Sequence, residues 1–286
     1  MVSINKNYHI FFPYAVKTVG MFENRFDLIN RYMKKKSLNR NFFFRENLPN
    51  IKEIYEYFSL IKKNSYSKKY FGKLLTNDDS WKFIGALADL DNFSKSINYI
   101  IKNNISKAYL MTNTAGHHAD NQHYELFCPI NQLFFIIELL NRIDFFPNIS
   151  WIDIDAHFGN GDKKLFDEYI TREKNINGIC FHNDFQDIKE KNYLGIKYSR
   201  DITERNFLKL LKDKIKINLE TQYLLVFFGT DIFSNDYGDN RNICLRILSP
   251  LISLFEEKIS KTKTKLIIIQ AGGSKAENIS ALIDIF

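Results

Sequence analysis

The stretch "ISWIDIDAHFGNGD" (residues 149–162) begins as a buried strand and ends as something else. Ile149, Trp151, Ile152 and Ile154 supply the β-branched and aromatic density of a strand covered on both faces. Asp153, Asp155 and His157 then occupy alternate positions, which an extended chain turns to one side. Two carboxylates and an imidazole therefore meet at one end of an apolar run, where burial is costly unless something pairs with them. A metal ion, a proton relay or water at a strand end would each meet that need.

Similar apolar runs recur along the chain: "YHIFF" (8–12), "KAYLMT" (107–112), "INGICFH" (176–182), "YLLVFFG" (223–229) and "KLIIIQAGG" (265–273). Helix-like spacing fills the intervals 23–35, 51–63, 81–103, 129–142, 162–171, 203–216 and 240–259. Apolar strands alternating with helices predict an α/β fold, with a central parallel sheet flanked by helices on both faces. No linker-like segment and no internal repeat divides residues 1–286, so one domain is expected, with 36–80 as its peripheral, least regular part. The 45% hydrophobic content is enough for a sizeable core.

The formal net charge of +7 comes from lysines scattered along predicted helices, as in "YMKKKSLNR" and "LKLLKDKIKINL". That distribution reads as a solvated basic face and argues against a nucleic-acid partner. Cys128, Cys180 and Cys244 show no CxxC spacing, which fits a reducing compartment. The N-terminus has no signal-like apolar stretch, and no run reaches membrane-spanning length. A soluble, cytoplasmic protein without a membrane partner is the expectation.

In an open parallel sheet, ligands bind beyond the carboxyl ends of the strands. After 107–112 comes "NTAGHHAD", after the run at 149 comes "DIDAHFGNG", and after 223–228 comes "GTDIFSND". His117, His118, His157 and His182, four of the six histidines, fall at these ends. Asp155, His157 and Asp231 would offer one nitrogen and two oxygens and leave a position open, the pattern of a catalytic zinc site. Gly159 and Gly161 would let the backbone turn sharply beneath the ion. His117 and His118 could act as general base or acid on a water beside it, with Asp153 orienting one imidazole.

"GHHAD…ELFC" (116–128), "DIDAHFGNGD" (153–162), "FGTDIFSNDYG" (228–238) and "IIIQAGG" (267–273) stand in the order found in the histone deacetylase-like superfamily. That group includes acetylpolyamine amidohydrolases and is related in fold to arginase. "ENRFDLI" (23–29) and "WKFIGALADLDNFSKSINYII" (81–101) also resemble segments of that family. The resemblance implies a fold of the arginase–deacetylase type and zinc-dependent removal of an acyl group from a small-molecule or peptide amine. It makes Asp155, His157 and Asp231 the ligands of one zinc ion. His117 and His118 become the tandem histidines beside the attacking water, with His118 in the place of the general base. Asp153 becomes the partner of the first histidine and Asn160 the partner of the second. A monovalent cation such as potassium is implied near Asp153 and Asp155, with Cys180 where the family often has serine.

The chain also departs from that pattern. The family's Gly-Gly-Tyr turn, whose tyrosine hydroxyl serves the oxyanion, reads Gly272, Gly273, Ser274 here. A serine hydroxyl is several ångströms too short to substitute, and losing an oxyanion donor typically lowers the rate by about 10²–10³. Tyr237 and Tyr124 are candidates to replace it. Asn113, Thr114 and Ala115 replace an Arg-Pro-Pro, Leu126 replaces a glycine, and Phe158 replaces a second histidine. An acyl-amine binding module with little turnover is one alternative. A ureohydrolase-like enzyme acting on a guanidinium is another, but it needs a second metal ion, and Gly159 and Gly229 stand where its additional carboxylates would be. His9 and His123 have no assigned role, and Cys128 and Cys180 are expected as small buried residues.

Overall fold

The computed structural model describes residues 8–13, 25, 27–29, 31, 42–44, 80–120, 123, 127–170 and 175–286. The strands in chain order are β1 (His9–Phe12), β2 (Phe42–Phe44), β3 (Lys107–Leu110), β4 (Ile149–Ile154), β5 (Ile176–His182), β6 (Ile188–Lys189), β7 (Tyr193–Lys197), β8 (Tyr223–Phe228) and β9 (Lys265–Gln270). They form one sheet in the order β2-β1-β3-β9-β8-β4-β5-β7-β6. Every pairing is parallel except that of β6 with β7.

The apolar runs become central strands because both of their faces find cover. On β8, Tyr223, Leu225 and Phe227 join one hydrophobic cluster, while Leu224, Val226 and Phe228 join the other. β9 divides in the same way, with Ile267 and Ile269 on one side and Leu266 and Ile268 on the other. The first face is covered by α1 (Ser80–Lys102), α2 (Gln132–Ile143) and α3 (Asn160–Leu165). The second is covered by α4 (Glu204–Lys214), α5 (Leu248–Ile259) and α6 (Ala276–Ile285). α1 shows why: Ala86, Leu90, Phe93, Ile97 and Ile100 recur at three- and four-residue steps and are all fully buried. Asn131 and Thr203 cap α2 and α4 through side-chain oxygens that accept from Phe134 N and Asn206 N.

Several expected boundaries move. The helix anticipated over 162–171 starts at Asn160 and continues beyond Leu165 as a π-helical turn, Phe166–Ile170. The helix anticipated over 240–259 starts only at Leu248, after a 3-10 turn at Leu245–Ile247. Residues 25, 27–29 and 31 are helical, in line with the expectation for 23–35. The helix expected at 51–63 and Tyr124 lie outside the described residues. Among the described residues no helix is long and apolar enough to cross a membrane.

Candidate metal centre

β3, β9, β8 and β4 are neighbours in the sheet, and the segments leaving their carboxyl ends meet. β4 delivers Asp155 and His157, β8 delivers Asp231, β3 leads to the loop of His117 and His118, and β9 leads to the Gly272-Gly273 turn. Asp153, Asp155 and Asp231 are buried, as is His117, while His157 keeps about a third of its side chain exposed.

His157 Nδ1 lies 3.2 Å from Asp155 Oδ1 and 3.1 Å from Asp231 Oδ2. One ligand atom from each of these three residues falls within 4.8 Å of the other two. Backbone donors also fix these carboxyl groups. Gly272 N donates to Asp155 Oδ2 at 2.9 Å, His157 N to Asp155 Oδ1 at 3.1 Å and Ala156 N to Asp231 Oδ1 at 3.3 Å. A Cβ on Gly272 would stand 2.8 Å from Asp231 Oδ2 and closer still to Asp155 Oδ2, so only glycine permits this approach.

The charges show that a cation fits here. Burial and the neighbouring Asp155 push the Asp231 carboxyl up to about 8. Burial opposes a charge on His157, yet its hydrogen bonds to Asp155 and Asp231 push its pKa up to about 11. His157 Nδ1 thus stands between two carboxyl groups at the point where they meet. A divalent ion bound by the same three atoms would answer the same excess of negative charge, with neutral imidazole as ligand.

The sequence-predicted histidines stand beside this cluster. His117 Nδ1 is 2.9 Å from Asp153 Oδ2, and its Nε2 is 3.6 Å from Asp155 Oδ1. Burial works against protonation of His117, but the charges of Asp155 and Asp153 raise its pKa to about 10. His118 Nδ1 faces Asn160 Oδ1 at 2.5 Å, and its ring centroid is 4.1 Å from that of His117. Burial and the His117 charge lower the His118 pKa to about 4. The two rings therefore differ: one is tied to an anion, the other to a neutral amide. Cys180 Sγ donates towards Asp153 Oδ2 at 3.7 Å. Phe158 stacks on Phe185 at 4.7 Å and meets the His182 ring edge-on, adding apolar surface beside His157. His123 is exposed and contacts Asp120, away from the cluster.

Two positioning residues carried no assigned role in the sequence reading. Asp89, on the buried side of α1, accepts from Asn113 N at 2.6 Å, Asn113 Nδ2 and Thr114 N at 3.0 Å, Thr114 Oγ1 at 2.9 Å and Gln132 Nε2 at 3.0 Å. Burial pushes its carboxyl up to about 7 against these donors. Arg25, 1% exposed, donates to Thr112 Oγ1 at 2.9 Å, Thr114 O at 3.2 Å, Gly273 O at 3.1 Å and Ala271 O. Asp89 anchors the lead-in to the histidine pair, and Arg25 ties that lead-in to the Gly272-Gly273 turn. A buried acid among the apolar positions of α1, and the arginine of "ENRFDLI", were the available signals.

The fold matches the crystal structure of the HDA15 HD domain with a TM-score of 0.73 and 13% identity, over 98% of this chain and 88% of that one. That likeness shows a fold of the arginase–deacetylase type. No curated protein sequence matches. The family model of the histone deacetylase domain matches residues 49–286, which takes in Asp89, the histidine pair, Asp153, Asp155, His157, Asn160 and Asp231 but not Arg25. The chain belongs to the histone deacetylase domain family.

Proposed function

We propose that the protein is a zinc-dependent amidohydrolase that removes an acyl group from an amine. The observation that carries this reading is the meeting of Asp155, His157 and Asp231 with two histidines of opposite character at the carboxyl end of the sheet. Asp155, His157 and Asp231 would hold one zinc ion, which when bound supplies Lewis acidity that polarises a carbonyl and acidifies water. Among the described residues this is the one such group, which favours one ion over the pair a ureohydrolase would need.

The chain's own groups then divide the proton work. With Asn160 Oδ1 against Nδ1, that nitrogen of His118 carries the hydrogen and Nε2 keeps its lone pair. Its depressed pKa keeps that lone pair available at neutral pH, so His118 acts as the base that takes a proton from the attacking water. The proton so gained is returned to the leaving amine. His117, held by Asp153, stays in place as its neighbour cycles. Asn160 orients His118 without the charge that a carboxylate would add. On the family resemblance we also propose a monovalent cation such as potassium beside Asp153 and Asp155, and residues 1–286 as one deacetylase-like domain. An acetyl-lysine, an acetylpolyamine or a biosynthetic intermediate is the expected class of substrate.

Turnover of paired acetyl- and trifluoroacetyl-lysine amides by the zinc-loaded protein tests the proposal, with His118→Ala as control. Hydrolysis of at least the activated amide, lowered about 10²–10⁴-fold in His118→Ala, is expected. A fully metal-loaded protein that leaves both amides intact would instead support a binding module for acyl-amines.

A further inference from the structure

Amide hydrolysis turns a carbonyl oxygen into an oxyanion, and a preorganised donor aimed at that oxygen contributes much of the rate. Most donors around the centre are already engaged. Gly272 N–H is spent on Asp155 Oδ2, and the backbone N–H groups of Ala156 and His157 are spent on Asp231 and Asp155. Ser274, directly after the two glycines, donates from N at 3.2 Å and from Oγ at 3.0 Å to Asp236 Oδ1. It clamps the turn to the neighbouring loop.

Tyr237 differs. Its hydroxyl oxygen accepts from Gly273 N–H at 3.0 Å, which fixes the oxygen and leaves the O–H hydrogen without an acceptor among the described residues. Its ring lies nearly parallel to that of His157, with centroids 5.6 Å apart and planes 18° apart. A Cβ on Gly272 would lie 3.0 Å from the Tyr237 hydroxyl and 2.8 Å from Asp231 Oδ2, with Asp155 Oδ2 closer still. The phenol oxygen and the carboxylate oxygens of the metal centre thus converge beside Gly272. The loop that carries it is held by Asp236, which also accepts from Lys275 N and Asn278 Nδ2.

We propose that the Tyr237 hydroxyl is the hydrogen-bond donor to the oxyanion, reaching the site from the loop after β8. The assignment rests on the amidohydrolase reading and deepens it. Tyr237 is then a catalytic residue, and the chain needs no tyrosine after Gly273.

Tyr237→Phe keeps the stacked ring and removes only the O–H. For an acetyl-lysine amide, kcat is expected to fall about 10²–10³-fold with KM little changed. The fall should be smaller for the trifluoroacetyl amide, whose oxyanion needs less help; a merely structural role would slow both alike. Affinity for a lysine-derived trifluoromethyl ketone, a tetrahedral mimic, is expected to drop about tenfold or more at unchanged zinc content. In a crystal of the wild-type protein with that ketone, the phenol oxygen should lie about 2.7–3.1 Å from the ketone-derived oxygen. Unchanged kcat and ketone affinity in Tyr237→Phe, or a separation beyond about 4 Å in the crystal, would overturn the assignment while leaving the hydrolase intact. A wild-type protein that neither turns over these amides nor binds the ketone when zinc-loaded would instead remove the hydrolase reading, and Tyr237's role with it.

Discussion

Gly161→Ala should damage the reaction without touching a reacting group. Gly161 is the second residue of α3, and its α-carbon faces the loop that carries the tandem histidines. An added Cβ would stand 2.5 Å from the carbonyl carbon of His118 and 2.6 Å from that of Ala119, and closer still to Ala119 O. Ordinary carbon contacts need about 3.5–4.0 Å, so helix and loop must separate by about 1 Å. The obstructing atoms are backbone and cannot rotate aside. The loop is also pinned: Asp162 N donates to His117 O at 3.0 Å, and Asn131 Nδ2 donates to Ala119 O at 2.9 Å. Overpacking of this kind costs about 1–3 kcal/mol, more than the roughly 0.5–1 kcal/mol that alanine gains over glycine in a helix. A displacement of about 1 Å in a proton-transfer group lowers the rate on the order of 100-fold. Urea denaturation and kcat on an acyl-lysine amide read the two effects, with zinc content expected to hold because no ligand moves. Gly195→Ala is the control: in β7 the new Cβ meets Ile188 Cβ at 3.2 Å, tight by only a few tenths of an ångström, against a two-residue strand with few bonds to hold it, and stability should change by less than about 1 kcal/mol. Gly161→Ala with wild-type stability and rate would refute the claim that this contact sets the histidine position.

Two further substitutions probe the supports of the pair. Asp89→Ala removes an acceptor shared by five donors from Asn113, Thr114 and Gln132, and should cost about 3–5 kcal/mol in chemical denaturation; a loss below about 1 kcal/mol would show that water replaces the carboxylate cheaply. Asn160→Asp puts a carboxylate against His118 Nδ1, which favours the imidazolium and raises a pKa now held down to about 4 by burial and the His117 charge. Since the base works only when neutral, the acidic limb of the kcat/KM profile should move to higher pH by about one unit; an unmoved limb would mean that another group sets it.

Much of the fold was legible because its strands are buried on both faces. "INGICFH" and "YLLVFF" carry enough apolar residues to mark their own limits, and β5 and β8 follow them. β7, "YLGIK", escaped notice because a glycine and a terminal lysine interrupt a five-residue edge-side strand. The start of α5 was placed too early because "ICLRIL" has helical spacing. Pro250 sits in the first turn of that helix, where a missing N–H costs little. α6 was not anticipated, although "AENISALIDI" buries Ile279, Leu282 and Ile283.

The site was legible where chemistry is concentrated in a motif. Asp153, Asp155, His157, Asn160 and the histidine pair were named from spacing and resemblance, and the structure brings them together with Asp231. What stayed hidden depends on contacts distant in sequence. Arg25 works mainly through backbone carbonyls at residues 114, 271 and 273, and Asp89 gathers backbone and side-chain donors from Asn113, Thr114 and Gln132, so each depends on partners at least 24 residues away that no local pattern announces. Tyr237 was one of two candidate tyrosines, and only the position of its hydroxyl against Gly273 sets it apart.

The most direct test of the account is a zinc count on the purified protein and on Asp231→Ala, at matched folded fraction. The wild-type chain should bind about one zinc ion per molecule, and removing one of three ligands should leave less than about a tenth of that occupancy under the same dialysis. Full zinc retention by Asp231→Ala, or about two ions on the wild-type chain, would contradict a single centre built from Asp155, His157 and Asp231.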